Sequence, residues 1–268
     1  MKIKRSTVLR LAGAILLFGL LALLLSGCEA DTPQNTFAAE GEVARRQRDL
    51  FYLAMWPALA IMIFVEMGLV VMLLRFRRRS SDELPKQIHG NTRLELAWTI
   101  APAVLLMVVT VPMMTLLFDL GREPSKDAFV VNVTGVQWQW IFEYPEVKGP
   151  DGKAVTAIKD LHFPADREIR FNVTSNDVIH SFWIPRLGGK IDAIPGRQNR
   201  FWLRADGPGT YEVAGQCAEF CGLNHADMKL VAHALSQEDF DAWVKEKESG
   251  TKTSSSGGGS SPSPTSGR

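Results

Sequence analysis

The sequence predicts a helical hairpin anchored in a membrane, followed by one external all-β domain. Two observations support this: residues 1–118 contain three long apolar runs, whereas residues 125–249 form short β-branched and aromatic segments between turn residues. The 268-residue chain is 46% apolar and has a net charge of only +1. These values exclude extensive disorder and a basic nucleic-acid binder. Three cysteines are too few for a disulfide scaffold.

The first apolar run, Leu11–Leu25, is too short to cross a membrane comfortably. As a helix it would reach roughly 22 Å, against about 30 Å of hydrocarbon. A basic start, a short apolar centre and small residues after it are typical of a secretory signal. The sequence Leu25-Ser26-Gly27-Cys28 resembles the cleavage box of bacterial lipoproteins. We therefore expect residues 1–27 to be a lipoprotein-type signal peptide and Cys28 to carry a lipid; an uncut helix with a buried cysteine is the alternative.

The next two runs, Phe51–Leu74 and Leu96–Phe118, predict a transmembrane hairpin over residues 51–118. Helices of this length reach about 35 Å, enough to span with some tilt. The loop over residues 75–95 is rich in basic residues, which places it in the cytoplasm. Its basic residues are Arg75, Arg77, Arg78, Arg79, Lys86 and Arg93. Residues 28–50 and the C-terminal domain then lie outside.

Three residues within these spans need a protein neighbour. Glu66 lies in the middle of the second run, where an ionisable group is costly against lipid. Pro102 and Pro112 free backbone carbonyls in the third run, and these carbonyls need new partners. A partner subunit that covers all three is the simplest explanation.

The external region reads as a β-sandwich or barrel, because short strands recur without intervening helices. A terminal helix is predicted over Gln237–Glu248 with Ser236 as its N-cap. Residues 146–159 are predicted to be a loop and residues 250–268 a flexible Gly/Ser/Pro-rich tail. The predicted strands are Phe129–Thr134, Gln137–Tyr144, Glu168–Thr174, Arg200–Ala205, Thr210–Gly215 and Lys229–Leu235.

Soft metal ligands are concentrated between Cys217 and Met228. Two cysteines, a histidine and a methionine in 12 residues favour a soft or borderline transition metal. A disulfide between Cys217 and Cys221 would leave His225 and Met228 unexplained. Zinc makes poor use of a thioether, and a mononuclear blue-copper site leaves one cysteine over. Two cysteines that bridge two coppers use every ligand.

A copper pair needs a second terminal imidazole from elsewhere in the chain. The sequence contains five histidines, of which His89 falls in the cytoplasmic loop. His180, on a turn after a predicted strand, is our choice. His162 and His233 are expected to be ordinary strand or loop histidines.

The segment over residues 217–228 resembles the CuA loop of cytochrome c oxidase subunit II, whose pattern is Cys-x-Glu-x-Cys-x3-His-x2-Met. The similarity extends over Glu95–Trp243, and its further matching stretches are Glu95–Pro102, Gln137–Trp140 and Asp192–Arg197. The resemblance implies a cupredoxin-like Greek-key sandwich or barrel over residues 122–249. It also implies a multi-pass subunit of the bacterial plasma membrane whose copper domain faces the periplasm.

The same resemblance implies a ligand for each position of a dinuclear copper centre. Cys217 and Cys221 would bridge the two coppers. His180 and Met228 would complete one copper.

The other copper would be completed by His225 and the backbone carbonyl of Glu219. In the family, the carboxylate at the Glu219 position also reaches a magnesium or manganese ion shared with subunit I. Trp138 matches the exposed tryptophan that receives the electron from cytochrome c, whereas Trp140 is expected to lie in the core.

Three acidic residues match family positions outside the copper loop. Glu143 and Asp177 flank the tryptophan and could steer a basic donor, although solvated surface charge is the alternative. Glu95 matches the carboxylate at the mouth of a proton-uptake path, although a helix-terminal role is its alternative. Gln139 departs from the family, which commonly has a tyrosine there.

The resemblance therefore predicts an oxidoreductase subunit that passes electrons from cytochrome c to haem in subunit I, where O2 is reduced to water with proton pumping. The implied partners are subunit I with its haem and CuB, subunit III, cytochrome c and membrane lipid. No Cys-x-x-Cys-His motif is present, so no covalent haem is expected. The alternatives are a copper-free quinol oxidase subunit II and a copper chaperone or storage lipoprotein. Nitrous oxide reductase shares the motif but needs a large second domain.

Overall fold

A computed structural model describes residues 32–76 and 90–250, together with Gly19. The predicted signal peptide with Cys28, most of the cytoplasmic loop with His89, and the tail beyond residue 250 lie outside the described residues. Their assignments therefore stay predictions.

Two long helices form the hairpin. Helix α1 spans Glu42–Arg75 and helix α2 spans Thr92–Leu120, and both are long and apolar enough to cross a membrane. Their apolar side chains are exposed in the single chain, as is Glu66. The covering partner that we expect for Glu66 thus lies outside this chain's own described residues.

Both helices begin earlier than the sequence predicted. Helix α1 takes in the end of the segment predicted to precede the hairpin, because Val43 and Ala44 are buried against the β domain. Helix α2 begins at Thr92 instead of Leu96. The side chain of Asn91 caps it by accepting hydrogen bonds from the first backbone amides of the helix.

The first turn of α1 is fastened to the β domain. Gly41 forms an isolated bridge with Ala205, and the amide of Ala44 donates to the carbonyl of Leu187 at 3.1 Å. A Cβ on Gly41 would lie 2.8 Å from the carbonyl oxygen of Arg204, so this close approach requires glycine. An ion pair between Arg46 and Asp119 also links the external ends of the two helices.

Ten strands form two five-stranded sheets, in the orders β3-β2-β1-β5-β8 and β4-β10-β9-β6-β7. The pairs β1/β5 and β4/β10 are parallel, and the other pairs are antiparallel. In chain order the strands are β1 Phe129–Val136, β2 Gln139–Lys148, β3 Ala154–Ile158, β4 Asp160–Pro164, β5 Ile169–Ser175, β6 His180–Trp183, β7 Ile191–Ala193, β8 Asn199–Leu203, β9 Gly209–Cys217 and β10 Lys229–Leu235. This arrangement confirms the predicted β-sandwich.

The core lies between the two sheets. Strands β1 and β5 alternate buried and half-buried residues, as expected for strands with one face inside. Trp140 is completely buried there, as the sequence suggested. Helix α3, Gln237–Ser249, closes one side with Phe240 and Trp243, and Ser236 caps it by accepting from the amide of Asp239.

Four strands were missed by sequence reasoning. Strand β3 lies inside the predicted loop over residues 146–159, and β2 extends into that loop as far as Lys148. As an edge strand, β3 has no fully buried residue and so gives no apolar signal. Strands β4, β6 and β7 have only five, four and three residues, so their periodicity is too short to read. His180 is therefore the first residue of a strand, not a turn residue.

Candidate metal centre

The residues over 217–228 form the loop that connects strands β9 and β10. Gln216 and Lys229 pair at the last step of the ladder. The amide of Cys217 donates to the carbonyl of Met228 at 2.9 Å, which closes the base of the loop. The first and last ligand candidates of the loop are thereby held side by side.

Strand β6 brings His180 to this loop from a distant part of the chain. Phe182 of β6 pairs with Cys217 of β9, and the amide of Ala218 donates to the carbonyl of Ser181 at 2.9 Å. The Nδ1 atom of His180 consequently lies 3.8 Å from the sulfur of Cys217. Sheet topology, and not sequence proximity, assembles this part of the site.

The predicted ligand atoms converge around the two cysteine sulfurs, which lie 3.8 Å apart. The sulfur of Cys221 is 3.5 Å from Nδ1 of His225 and 3.8 Å from Sδ of Met228. The carbonyl oxygen of Glu219 is 3.1 Å from the sulfur of Cys217. These contacts join all the loop ligands that the sequence predicted.

Part of this cluster has the geometry of a metal site by itself. The ligand atoms of His180, Cys217 and Cys221 all lie within 4.8 Å of one another and could hold a metal ion. These three residues and Met228 are buried, whereas His225 is half-buried and Glu219 is exposed. The site therefore excludes most water but opens at its His225 side.

The two thiols are free, and their geometry suits binding of a metal cation better than formation of a disulfide. Neither cysteine forms a disulfide, which would require sulfurs about 2 Å apart. Burial, followed by the neighbouring Cys217 thiol, raises the pKa of the Cys221 thiol to about 12. A bound metal cation supplies the charge that would ionise both thiols. The donor set thus fits the soft metal predicted from the sequence.

Asp177 orients the ring of His180. Its Oδ1 lies 2.8 Å from Nε2 of His180. Burial works to raise the pKa of Asp177, yet that pKa is lowered by hydrogen bonds from His180 and from the amides of Gln137 and Val178. With its proton on Nε2, the ring presents a bare Nδ1 to Cys217, as a metal ligand must.

Gly135 leaves the space that this ring needs. A Cβ at Gly135 would lie 2.7 Å from Cδ2 of His180. The position is the next-to-last residue of β1, and a glycine within a strand often marks a close approach. The sequence reasoning did not use this signal.

Trp138 lies directly against the loop. The two-residue turn that joins β1 to β2 consists of Gln137 and Trp138, and the Trp138 side chain is half-buried. Its indole Nε1 donates to the carbonyl of Cys221 at 3.2 Å, and Nε2 of Gln137 donates to the same oxygen at 2.7 Å. Gln137 is a contact that sequence reasoning missed, because a glutamine in a turn carries no signal of its own.

The remaining predicted residues lie away from the cluster. Glu95 is in the first turn of α2, where its carboxylate accepts from the amide of Asn91 at 3.1 Å. Glu143 is an exposed residue of β2, about 16 Å along the chain from Trp138. Asp177 is the exception, since it contacts the cluster through His180. Its docking role stays a prediction. The lipidation of Cys28 falls outside the described residues.

Comparison with known proteins identifies the family. The family model described as "Cytochrome C oxidase subunit II, periplasmic domain" matches residues 129–235. The model described as "Cytochrome C oxidase subunit II, transmembrane domain" matches residues 34–116. Cytochrome c oxidase subunit 2 of Alkalihalophilus pseudofirmus is 36% identical over 87% of this chain and 68% of that protein. The chain belongs to the cytochrome c oxidase subunit II family. It is accordingly a membrane subunit of an oxidase complex with a periplasmic, cupredoxin-like domain.

Two other similarities describe the range of the family. Quinol oxidase subunit 2 of Bacillus subtilis is 33% identical over 84% of this chain and 69% of that protein. The crystal structure of the periplasmic domain of subunit II of cytochrome oxidase from Bradyrhizobium japonicum covers 47% of this chain and 96% of its own, with 33% identity and a TM-score of 0.40. Overall identity to the cytochrome c oxidase subunit and to the quinol oxidase subunit is similar, at 36% and 33%.

Proposed function

We propose that this chain is the electron-accepting subunit of a bacterial cytochrome c oxidase. It receives electrons from cytochrome c at a dinuclear CuA centre and relays them to haem in subunit I. The observation that carries this proposal is the convergence of two cysteine sulfurs with two imidazole Nδ1 atoms and a thioether, in one mostly buried cluster. The domain lies on the outer side of the plasma membrane.

The protein's own contribution is to fix this donor set. In this proposal Cys217 and Cys221 would serve both coppers. His180 and Met228 would complete one copper, and His225 and the Glu219 carbonyl would complete the other. When bound, such a pair would share one unpaired electron and change its bond lengths little between redox states. The ladder of β9 and β10 and the contact of Asp177 with His180 hold the ligands in place, which keeps reorganisation small.

Trp138 is the proposed site of electron uptake. It is half-buried, so part of its ring can face a docked donor while its Nε1 bonds to the carbonyl of Cys221. This hydrogen bond gives a short connection between the surface and a bridging ligand. Trp140, two residues on, is fully buried and is not available to a donor.

Acidic residues could help cytochrome c to dock. Glu143 is exposed, and the side chain of Asp177 retains 30% exposure despite its contact with His180. If steering by these charges matters, raising the ionic strength will slow electron uptake from a basic donor. A rate that does not change with salt would remove this docking role and leave the copper assignment intact.

The His225 side of the cluster is the proposed exit toward subunit I. His225 is half-buried and the Glu219 residue is exposed, so both can meet a partner subunit. We propose that the Glu219 carboxylate contributes to a magnesium or manganese ion shared with subunit I. Its backbone carbonyl meanwhile faces the cluster, which is how one residue can serve both ions.

Glu95 is proposed to lie at the mouth of a proton-uptake path into subunit I. Its contact with the Asn91 amide shows that it also stabilises the start of α2. Turnover by the assembled oxidase carrying Glu95→Gln separates the two roles. Slower turnover with unchanged copper content is expected, and normal turnover would leave only the helix-capping role.

The quinol-oxidase alternative predicts no copper, and the chaperone alternative predicts a readily exchanged one. Against the first, every side-chain ligand is present and in contact. Against the second, the spans and the Trp138 contact have no use in metal exchange. The test is rapid mixing of the copper-loaded full chain in detergent with reduced cytochrome c and, separately, with a reduced quinol. Reduction by cytochrome c alone is expected; reduction by quinol alone would overturn the proposal.

A further inference from the structure

The turn formed by Gln137 and Trp138 touches both segments that carry metal ligands. On one side, the backbone amide of Gln137 donates to Oδ2 of Asp177 at 2.6 Å, and the other oxygen of that carboxylate contacts His180. On the other side, Nε2 of Gln137 donates to the carbonyl of Cys221 at 2.7 Å. One residue thus connects the β6 ligand with the loop that carries the others.

We propose that Gln137 is a positioning residue of the metal centre, which couples the His180 segment to the Cys221 loop. The inference rests on the proposed copper function and deepens it. Gln137 does not bind the metal; it fixes the place of the Cys221 backbone, and therefore of its sulfur, relative to His180.

Two side-chain hydrogen bonds restrain the carbonyl of Cys221, although it lies in a loop. A carbonyl oxygen has two lone pairs, and here it accepts from both Gln137 and the indole of Trp138. The Gln137 bond is the shorter, at 2.7 Å against 3.2 Å. If the Gln137 bond is removed, the indole of Trp138 is the one remaining side-chain donor to this oxygen among the described residues. The Cys221 peptide then gains freedom to rotate.

The backbone of the loop over residues 217–228 also packs closely against the turn formed by Gln137 and Trp138. Gly222 has a φ of +120°, and a Cβ there would lie 3.2 Å from Nε2 of Gln137 and 3.3 Å from Nε1 of Trp138. The position therefore favours glycine both for its conformation and for the space that it leaves. This close approach is an independent sign that the loop is fitted against the Gln137 side chain.

The two halves of the connection can be separated by mutation. The bond to Asp177 comes from the backbone amide of Gln137, so replacing the side chain by methionine leaves this donor in place. Gln137→Met keeps the length of the side chain and removes only its amide. Gln139→Met is the matched control, because Gln139 makes no side-chain hydrogen bond to the loop among the described residues. Gln137 is exposed and Gln139 is half-buried, and methionine has nearly the length of glutamine, so neither variant is expected to impair folding.

The test measures the full-length chain, purified in detergent and reconstituted with copper. The readouts are copper content, the electron paramagnetic resonance spectrum, the midpoint potential and the rate of copper loss to a chelator. For Gln137→Met we expect two coppers per chain, altered hyperfine splitting, a shifted potential and copper loss about 2- to 10-fold faster than in the parent chain. Gln139→Met should match the parent in all four.

Two results would overturn the inference while leaving the copper function standing. One is a Gln137→Met protein whose spectrum, potential and copper-loss rate coincide with those of the parent. The other is an equal change in Gln139→Met, which would show a general effect of apolar substitution. A parent chain that fails to bind two coppers would overturn the proposed function itself, and copper content alone identifies that case.

Discussion

Two pairs of histidines in the β domain show how similar residues acquire different chemistry. His180 and His225 each direct Nδ1 toward a cysteine sulfur, at 3.8 Å and 3.5 Å. His162 and His233 instead stack flat on each other, with ring centroids 4.4 Å apart, on the parallel strands β4 and β10. His233 lies about 16 Å along the chain from Met228.

The difference lies in the groups that face the rings. In His180, Nε2 contacts the carboxylate of Asp177 and Nδ1 faces the sulfur of Cys217, an arrangement that suits a metal ligand. His162 packs face to face with Trp243 at 5.1 Å, and its buried Nδ1 has no hydrogen-bond partner within the described part of the chain. His180 thus presents its two nitrogen atoms to a carboxylate and a sulfur, whereas His162 presents its faces to neighbouring rings.

The largest effect that tests this comparison is loss of a bridging sulfur. Cys221→Ser removes the atom that contacts Cys217, His225 and Met228, so the copper pair should not form. Since changes to residues behind metal ligands cost about 10- to 100-fold in affinity, we expect loss of a ligand to exceed about 100-fold. Metal analysis and circular dichroism of the full chain would measure binding and folding separately.

His233→Gln is the matched control for that experiment. It changes a histidine of the stacked pair and should leave two coppers per chain. If His233→Gln also abolished copper binding, the separation of the two pairs would be wrong.

A smaller effect is expected from the group that orients His180. Asp177→Ala removes the contact with Nε2, so the ring can rotate and the copper affinity should fall about 10-fold. The spectrum and midpoint potential should change with it. Glu143→Ala removes an exposed carboxylate that has no described contact with a ligand residue, and should change only the salt dependence of electron uptake. Identical spectra for Asp177→Ala and the parent chain would contradict the orienting role.

The smallest effect on the metal centre is expected from the stacked pair, whose titration changes the stability of the fold and not the binding of copper. Burial, followed by the charge of His233, lowers the pKa of His162 to about 4. The unfolded chain, with an ordinary pKa near 6.5, therefore binds more protons between these pH values, and stability falls as the pH drops through this window. We expect a loss of about 2 kcal/mol, already discounted for the partial exposure of the ring.

His162→Phe keeps the ring stacking and removes this titration. Unfolding of the metal-free chain between pH 7 and pH 4 should then show a weaker pH dependence than in the parent. Copper content at neutral pH should not change. An unchanged pH dependence would show that His162 is not the group responsible.

The sequence predicted the helical hairpin, the β-sandwich and the cysteine, histidine and methionine candidates of the loop, because these depend on long apolar runs and on the spacing of rare residue types. The carbonyl of Glu219 was implied only by the resemblance to the family. The sequence could not show why His180 lies beside Cys217, since that contact depends on the pairing of β6 with β9, and β6 has only four residues. It also did not predict the contacts of Gln137 and Asp177 with the ligand residues. The Gln137 side chain reaches the Cys221 carbonyl across the fold, and an aspartate three residues before a histidine is too common a pattern to indicate a contact. Gly135 was a readable signal that was not used.

The central claim is that this chain holds a copper pair, and copper stoichiometry with electron paramagnetic resonance on the full chain tests it most directly. We predict two coppers per chain and one unpaired electron shared equally by both nuclei. One copper with a localised signal, or no copper after controlled reconstitution, would contradict the account and favour the chaperone or the copper-free subunit, respectively.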